Sequence, residues 1–233
     1  MVKLKKSGPG GALAAAFPHT IPVLTGFLFL GMAYGILMET KGYGAGWSIA
    51  MSAIAFCGSM QFVAISLLTG VFDPLQAFLL SLMVNARQLF YGISMLEKYK
   101  GLGKARAVLI FTLCDETFSI SSSVEPPEGT SRKHFYLCIS LLDYSYWIIG
   151  TLLGGVLGGF ISFSTEGIDF VLTALFVVLF LEQMKNKKNR VSGCIGIIAT
   201  IIALLIFGAD KLVLPAMGII LGALLLLGRR ELC

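Results

Sequence analysis

The sequence predicts an all-α, polytopic membrane protein, with about seven or eight transmembrane or re-entrant helices forming a single transmembrane domain over residues 1–233. Three observations predict it. Of 233 residues, 56% are hydrophobic and only 13% are charged, which is more apolar side chain than a soluble core can hide. The apolar runs are long and continuous, whereas a β-barrel would show short alternating segments. The basic residues cluster between those runs, as at Lys3, Lys5 and Lys6 or at Lys185, Lys187, Lys188 and Arg190, in the manner of cytoplasmic loops. The net charge of +5 therefore points to membrane topology rather than to nucleic acid.

Eight apolar segments follow one another, near 15–38, 46–70, 74–96, 105–124, 135–162, 168–182, 192–208 and 212–228. The first begins after a basic patch and ALAAAF, which resembles a signal peptide. It continues past Pro18 and Pro22 to Met38, too long for a cleaved segment, so it reads as a retained span. The two prolines, flanking His19, read as a helix entry. In the second segment Gly58 and Ser59 interrupt the apolar run. The third reads as one span that carries Asn85 and Arg87. The fourth is short and polar at its centre. The fifth bears Gly150, Gly154 and Gly158 at helical spacing, as the first bears Gly31 and Gly35, and such strips let helices approach closely. The sixth is short for a span, and the last two are uniformly apolar.

The basic loops test this order. With the N-terminal lysines inside, eight full crossings place the 183–190 loop, Arg229 and Arg230 inside, as expected, but Lys98, Lys100, Lys104 and Arg106 outside. Breaking or folding back segments 46–70 and 105–124 repairs the conflict, because irregular backbone at depth is tolerated where it lines a cavity. An internal repeat is a second feature to test: each half has a glycine strip, a glycine-containing loop and an apolar segment ending near a glutamine, Gln61 or Gln183.

The chemistry lies in the polar groups inside the apolar runs. Arg87 is fourteen residues before Gly101, and Asp115 is fourteen after it. In an antiparallel hairpin both lie about 20 Å from the turn, so Asp115 or Glu116 faces Arg87. Such a pair either lines a transport path or merely fixes packing. Asp143 is a third interior carboxylate; it either joins the path or sits near the surface, with Trp147 as an interfacial anchor. Gln61, in GSMQF, offers a donor and an acceptor. Ser119, Ser121, Ser122 and Ser123 either extend a polar lining or end a helix before Pro126 and Pro127. The five cysteines show no metal-ligand spacing and read as small buried residues. No cofactor is expected.

GSMQF, NARQLFYG at 85–92, DETF at 115–118, Trp147 after Asp143, and GIDFVLTALFVVLF at 167–180 occur together in this order. In that set the chain resembles the AzlC-type large subunit of bacterial branched-chain amino-acid exporters, over residues 17–181. The resemblance implies a multi-pass inner-membrane secondary exporter of leucine, isoleucine, valine and related amino acids such as methionine. It also implies a separate small hydrophobic AzlD-like partner subunit. The candidate translocation residues are Gly58, Ser59, Gln61, Asn85, Arg87, Asp115 and Glu116, with Asp143 added from its place in the apolar run. A zwitterion needs a cation for its carboxylate, a carboxylate for its ammonium and an apolar wall for its side chain, and these residue types supply them. No nucleotide-binding loop is present, so energy must come from an ion gradient or from a partner, and a carboxylate that changes protonation is the obvious device for coupling to protons. An enzyme is not expected, since no HExxH or GxSxG pattern occurs and His19 and His134 lie near span ends. The alternative is a scaffold or receptor whose polar groups only hold helices together.

Overall fold

The computed structural model describes residues 9–71, 73–160 and 190–208, together with single positions between 170 and 223. The chain forms two compact units, Met1–Ile168 and Asp169–Cys233. In the second unit the described residues form the apolar helix Arg190–Phe207 and helical positions on either side of it. The first unit carries the site.

Its helices are α1 (Pro9–Thr40), α2 (Ala45–Ala55), α3 (Gly58–Thr69), α4 (Pro74–Val84), α5 (Ala86–Met95), α6 (Ala105–Phe111), α7 (Asp115–Ser123) and α8 (Arg132–Gly158). Among the described residues, three helices are long and apolar enough to cross a membrane: most of α1, α8, and Arg190–Phe207. Pro18 and Pro22 lie inside α1 rather than at its entry, because the helix already starts at Pro9. Pro9 costs little in a first turn, while the two internal prolines each remove one ladder bond, a loss that packed membrane helices tolerate.

The glycine strips do what their spacing predicts. A Cβ on Gly150 would lie 2.8 Å from the Phe27 carbonyl oxygen, one on Gly31 3.0 Å from the Thr151 nitrogen, and one on Gly158 3.2 Å from the Ile36 Cα. The closest approaches are Gly35 to the Thr151 carbonyl and Gly154 to the Met32 carbonyl. Contacts climb both helices together, from Thr20–Tyr146 through Gly31–Gly150 to Glu39–Gly158, so α1 and α8 run parallel.

Segments 46–70 and 105–124 are both broken, as the basic loops required. The first break holds Phe56 in a left-handed conformation (φ 33°) and Cys57 extended (φ −140°). Phe56 is locked there by an edge contact with Tyr144 at 4.9 Å. The second break runs through Thr112 and Leu113 to an extended Cys114 (φ −116°). Segment 74–96 is also broken, at Asn85, against the expectation of one continuous span. Asn85 takes the bridge-region angles φ −91° and ψ −2°, and its side-chain amide bonds Ser81 on α4 and Cys57 at the α2–α3 break.

Two of these broken segments fold back on themselves. Tyr43, just before α2, donates its hydroxyl to the Leu68 carbonyl at the end of α3 at 3.0 Å, so α2–α3 enters and leaves on one side. Lys98, just before α6, bonds the Ser122 carbonyl at the end of α7 at 3.1 Å and pairs with Glu125 at 2.8 Å. Arg132 at the start of α8 closes the same corner on the Lys98 carbonyl at 2.8 Å. Thus α6–α7 returns to the side where α8 begins, and α2–α3 to the side where α1 ends. Since α1 and α8 are parallel, the two hairpins enter from opposite sides. A cluster of Ala16, Met95, Tyr99, Leu102, Leu109, Phe135 and Ile139 packs the α6–α7 side.

The expected repeat invoked Gln183, which lies outside the described residues, as do most of the sixth and eighth apolar segments.

Candidate translocation site

The hairpin tips meet at Arg87. This residue opens α5 just after the Asn85 break, where the chain turns its side chain toward both tips. Its Nη2 donates to the Ser59 hydroxyl at 2.9 Å and lies 2.9 Å from Asp115 Oδ2. Ser59 is in the first turn of α3, and Asp115 begins α7. Three helix N-termini, of α3, α5 and α7, therefore converge on one place, and their partial positive ends favour the acids there. The convergence explains how Asp115 and half-buried Glu116 can stand side by side in the first turn of α7 with a single guanidinium opposite.

The equal offset from Gly101 thus produced the expected ion pair. It is not sealed: the two side chains are 36% and 29% exposed. Arg87 Nε and Asp115 Oδ1 have no partner among the described residues. One buried donor and one buried acceptor are thus left without a protein partner.

Cys57 joins the third break to the tips. Its thiol donates to Asn85 Oδ1 at 2.8 Å, receives Gln88 Nε2 at 3.3 Å and lies 3.9 Å from the Ser59 hydroxyl. On the outer side of the same break, Phe78, Ser81, Leu82, Asn85, Gln88 and Leu89 line an open cavity of about 330 Å³. Three apolar residues, Phe78, Leu82 and Leu89, and three polar ones, Ser81, Asn85 and Gln88, line it, and Asn85 lies one residue from the α5 N-terminus.

Gln61 and Gly58 serve a different neighbourhood. Gln61 is buried; its Oε1 accepts the Trp147 indole N–H at 2.7 Å, and its Nε2 donates to the Ser52 hydroxyl at 2.9 Å. Ser52 in turn bonds Thr151 at 2.9 Å. A Cβ on Gly58 would meet the Trp147 ring at 2.9 Å, so glycine lets the indole lie over the tip. This network ties the α2–α3 hairpin to α8. Trp147 is buried, with an edge contact to Phe27 at 5.4 Å, and is no interfacial anchor.

Asp143 is not near the surface either. It is fully buried, and its Oδ2 accepts the Thr117 hydroxyl at 2.8 Å. It stands behind the α7 tip, away from the Arg87 guanidinium. Among the four serines, Ser122 and Ser123 cap their own helix end on the Ser119 carbonyl, while Ser121 is buried.

Sequence reasoning missed Cys57, Cys114, Thr117, Ser52 and Thr151. One signal was available for the cysteines. Each immediately precedes a glycine or acid that opens a half-helix, Cys57–Gly58 and Cys114–Asp115, and each sits at a tip. Among the described residues, no group of three potential ligands is arranged to hold a metal ion.

An all-helical, multi-pass membrane protein whose discontinuous helices meet around buried charges is built as a membrane transport protein. The AzlC protein family matches residues 22–161, and the chain belongs to that family. It is 47% identical over 96% of its length to the branched-chain amino acid transport protein AzlC of Bacillus subtilis (strain 168), covering 88% of that protein. Two further relatives are uncharacterized membrane proteins. One, from Helicobacter pylori (strain ATCC 700392 / 26695), is 40% identical over 95% of this chain and 97% of its own. The other, from Haemophilus influenzae (strain ATCC 51907 / DSM 11121 / KW20 / Rd), is 38% identical over 88% and 85%. No solved structure matches the chain.

Proposed function

We propose that the protein is a secondary transporter that exports branched-chain amino acids across the bacterial inner membrane, driven by protons and working with a small AzlD-like subunit. The observation that carries this reading is the Arg87–Asp115 pair at the meeting point of two oppositely entering hairpins. The unused Nε–H suits a substrate carboxylate, and the unused Oδ1 suits its ammonium group. Neighbouring Phe78, Leu82 and Leu89 offer the apolar wall that a leucine or valine side chain needs. Partial exposure of both charges fits an aqueous cavity, because exposure to lipid would cost several kcal/mol. The name of the Bacillus relative supports the substrate class.

The same reading assigns a topology to the first unit. With the N-terminal lysines in the cytoplasm, α1 crosses outward, α2–α3 dips in from outside, and α4–α5 crosses back. The 98–106 loop then lies inside, α6–α7 dips in from there, and α8 crosses outward. In this reading, three crossings and two re-entrant hairpins of the first unit put the basic 98–106 loop on the cytoplasmic side.

Counterflow of labelled leucine tests the reading. Vesicles carrying this protein and its small partner, preloaded with unlabelled leucine, should accumulate the label transiently. Folded protein that gives no uptake above empty vesicles would overturn it.

A further inference from the structure

The Arg87 pair leaves one buried acid without a cation. Asp143 is fully buried, and only its Oδ2 has a partner, the Thr117 hydroxyl. Its Oδ1 has none among the described residues. Arg87 is committed to Asp115 and Ser59. The titratable groups facing Asp143 are Glu116 and Cys114, both from the α7 tip; on its own helix Tyr146, three residues on, bonds the Thr20 hydroxyl of α1 at 3.1 Å, and the buried face of α6 is apolar. An ionised carboxylate here would be an unpaired buried charge, which proteins avoid at a cost of several kcal/mol.

Other buried hydroxyls line up with it. Helices α7 and α8 run antiparallel, with Thr117 level with Asp143. One turn toward the 98–104 loop, Ser121 follows Thr117 on α7, and Ser140 precedes Asp143 on α8. Both serines are fully buried, and neither hydroxyl has a partner among the described residues. Tyr99 is also fully buried, and its hydroxyl interacts with Ser121 without forming a well-aligned hydrogen bond. Its ring packs at 5.8 Å against Tyr136, whose hydroxyl donates to exposed Glu125 at 3.1 Å. Native interiors rarely leave polar atoms orphaned, and four in one column make a site for bridging water.

We propose that Asp143 carries the coupled proton and that Ser140, Ser121 and Tyr99 form its route to the 98–104 side of the protein. The step is a simple protonation and its reversal: Asp143 Oδ1 takes a proton while the carboxyl group is exposed to the outer side, and releases it along the hydroxyls and bridging waters to the 98–104 side, so that a proton moves inward for each amino acid exported. This assigns binding and coupling to separate acids, Asp115 for substrate and Asp143 for the proton. It rests on the transport reading above.

The test compares two readouts in the same proteoliposomes: leucine counterflow at equal pH, and leucine flux driven by an imposed pH gradient with proton movement followed by an internal pH dye. For Asp143→Asn, gradient-driven flux should fall at least tenfold while counterflow persists, because asparagine still accepts the Thr117 bond. The double variant Ser121→Ala with Ser140→Ala should slow gradient-driven flux several-fold and spare counterflow. Full gradient response in Asp143→Asn, or equal loss of both readouts in both variants, overturns the assignment. A wild-type protein that exchanges leucine but ignores the gradient overturns proton coupling itself. One that exchanges nothing overturns the transport reading instead.

Discussion

Removing the Arg87 guanidinium should destabilise the protein through a term that belongs to the pair. Two unit charges with centres about 4 Å apart attract by about 4 kcal/mol at an effective dielectric near 20. Both side chains are about a third exposed, so screening cuts this to roughly half, about 2 kcal/mol. Arg87→Ala also removes the charge-assisted bond to Ser59, worth about 1 kcal/mol at a partly exposed site, while the attraction of Asp115 to the N-terminus of α7 is the same in both proteins and cancels. The net loss is about 3 kcal/mol, of which about 2 should appear as coupling in a double-mutant cycle with Asp115→Ala. The exchange of charges, Arg87→Asp with Asp115→Arg, should recover part of it, because the Ser59 hydroxyl can donate as well as accept. Unfolding of the detergent-solubilised protein by SDS titration measures all of these. A coupling energy below about 0.5 kcal/mol would mean that the charges do not sense each other, and the reasoning about the tips fails.

Three further expectations concern other parts of the molecule. Gly154→Ala pushes a methyl into the Met32 backbone and should cost about 1–3 kcal/mol in the same assay, whereas Gly46→Ala, with nothing within 4 Å, should be neutral or slightly stabilising. Leu82→Trp should fill the cavity beside Asn85 and reduce leucine counterflow several-fold with little change in stability, since Leu82 is 49% exposed; unchanged counterflow would exclude that cavity from the path. The Lys98 hydrogen bond holds Glu125 below the ordinary glutamate range, so its small stabilisation is present at neutral pH and is lost as pH falls through that lowered value. Hydrogen exchange at residues 98–104 should speed up in that acidic window, and Glu125→Gln should remove the pH dependence.

The sequence disclosed more of the ionic site than of its surroundings. Arg87 and Asp115 were legible because charges in an apolar run stand out, and because a turn at Gly101 puts equal offsets at equal depth. The breaks in 46–70 and 105–124 were legible from the misplaced lysines of the 98–106 loop. The break at Asn85 was not, because one polar residue lowers the mean hydropathy of a span only slightly and does not by itself show that the helix ends there. Gln61 appeared to belong with Arg87, but two residues along a helix turn a side chain by about 200°, which aims it at Trp147 instead. Asp143 and Trp147 were placed between interface and interior because distance along a helix does not reveal which face is covered. Thr117, Ser52 and Thr151 escaped notice because lone hydroxyls in apolar helices usually bond their own backbone.

The fold-back of the two hairpins from opposite sides underlies the site, the topology and the proton route. Paired cysteine labelling tests it directly, in protein whose native cysteines have been replaced, with a membrane-impermeant maleimide applied to sealed, oriented vesicles. Single cysteines at Lys100 and Glu128 flank α6–α7, and those at Lys41 and Val71 flank α2–α3. The account predicts that each pair reacts from one side and that the two pairs react from opposite sides. Lys100 and Glu128 labelling from opposite sides would make α6–α7 a full crossing and contradict the account.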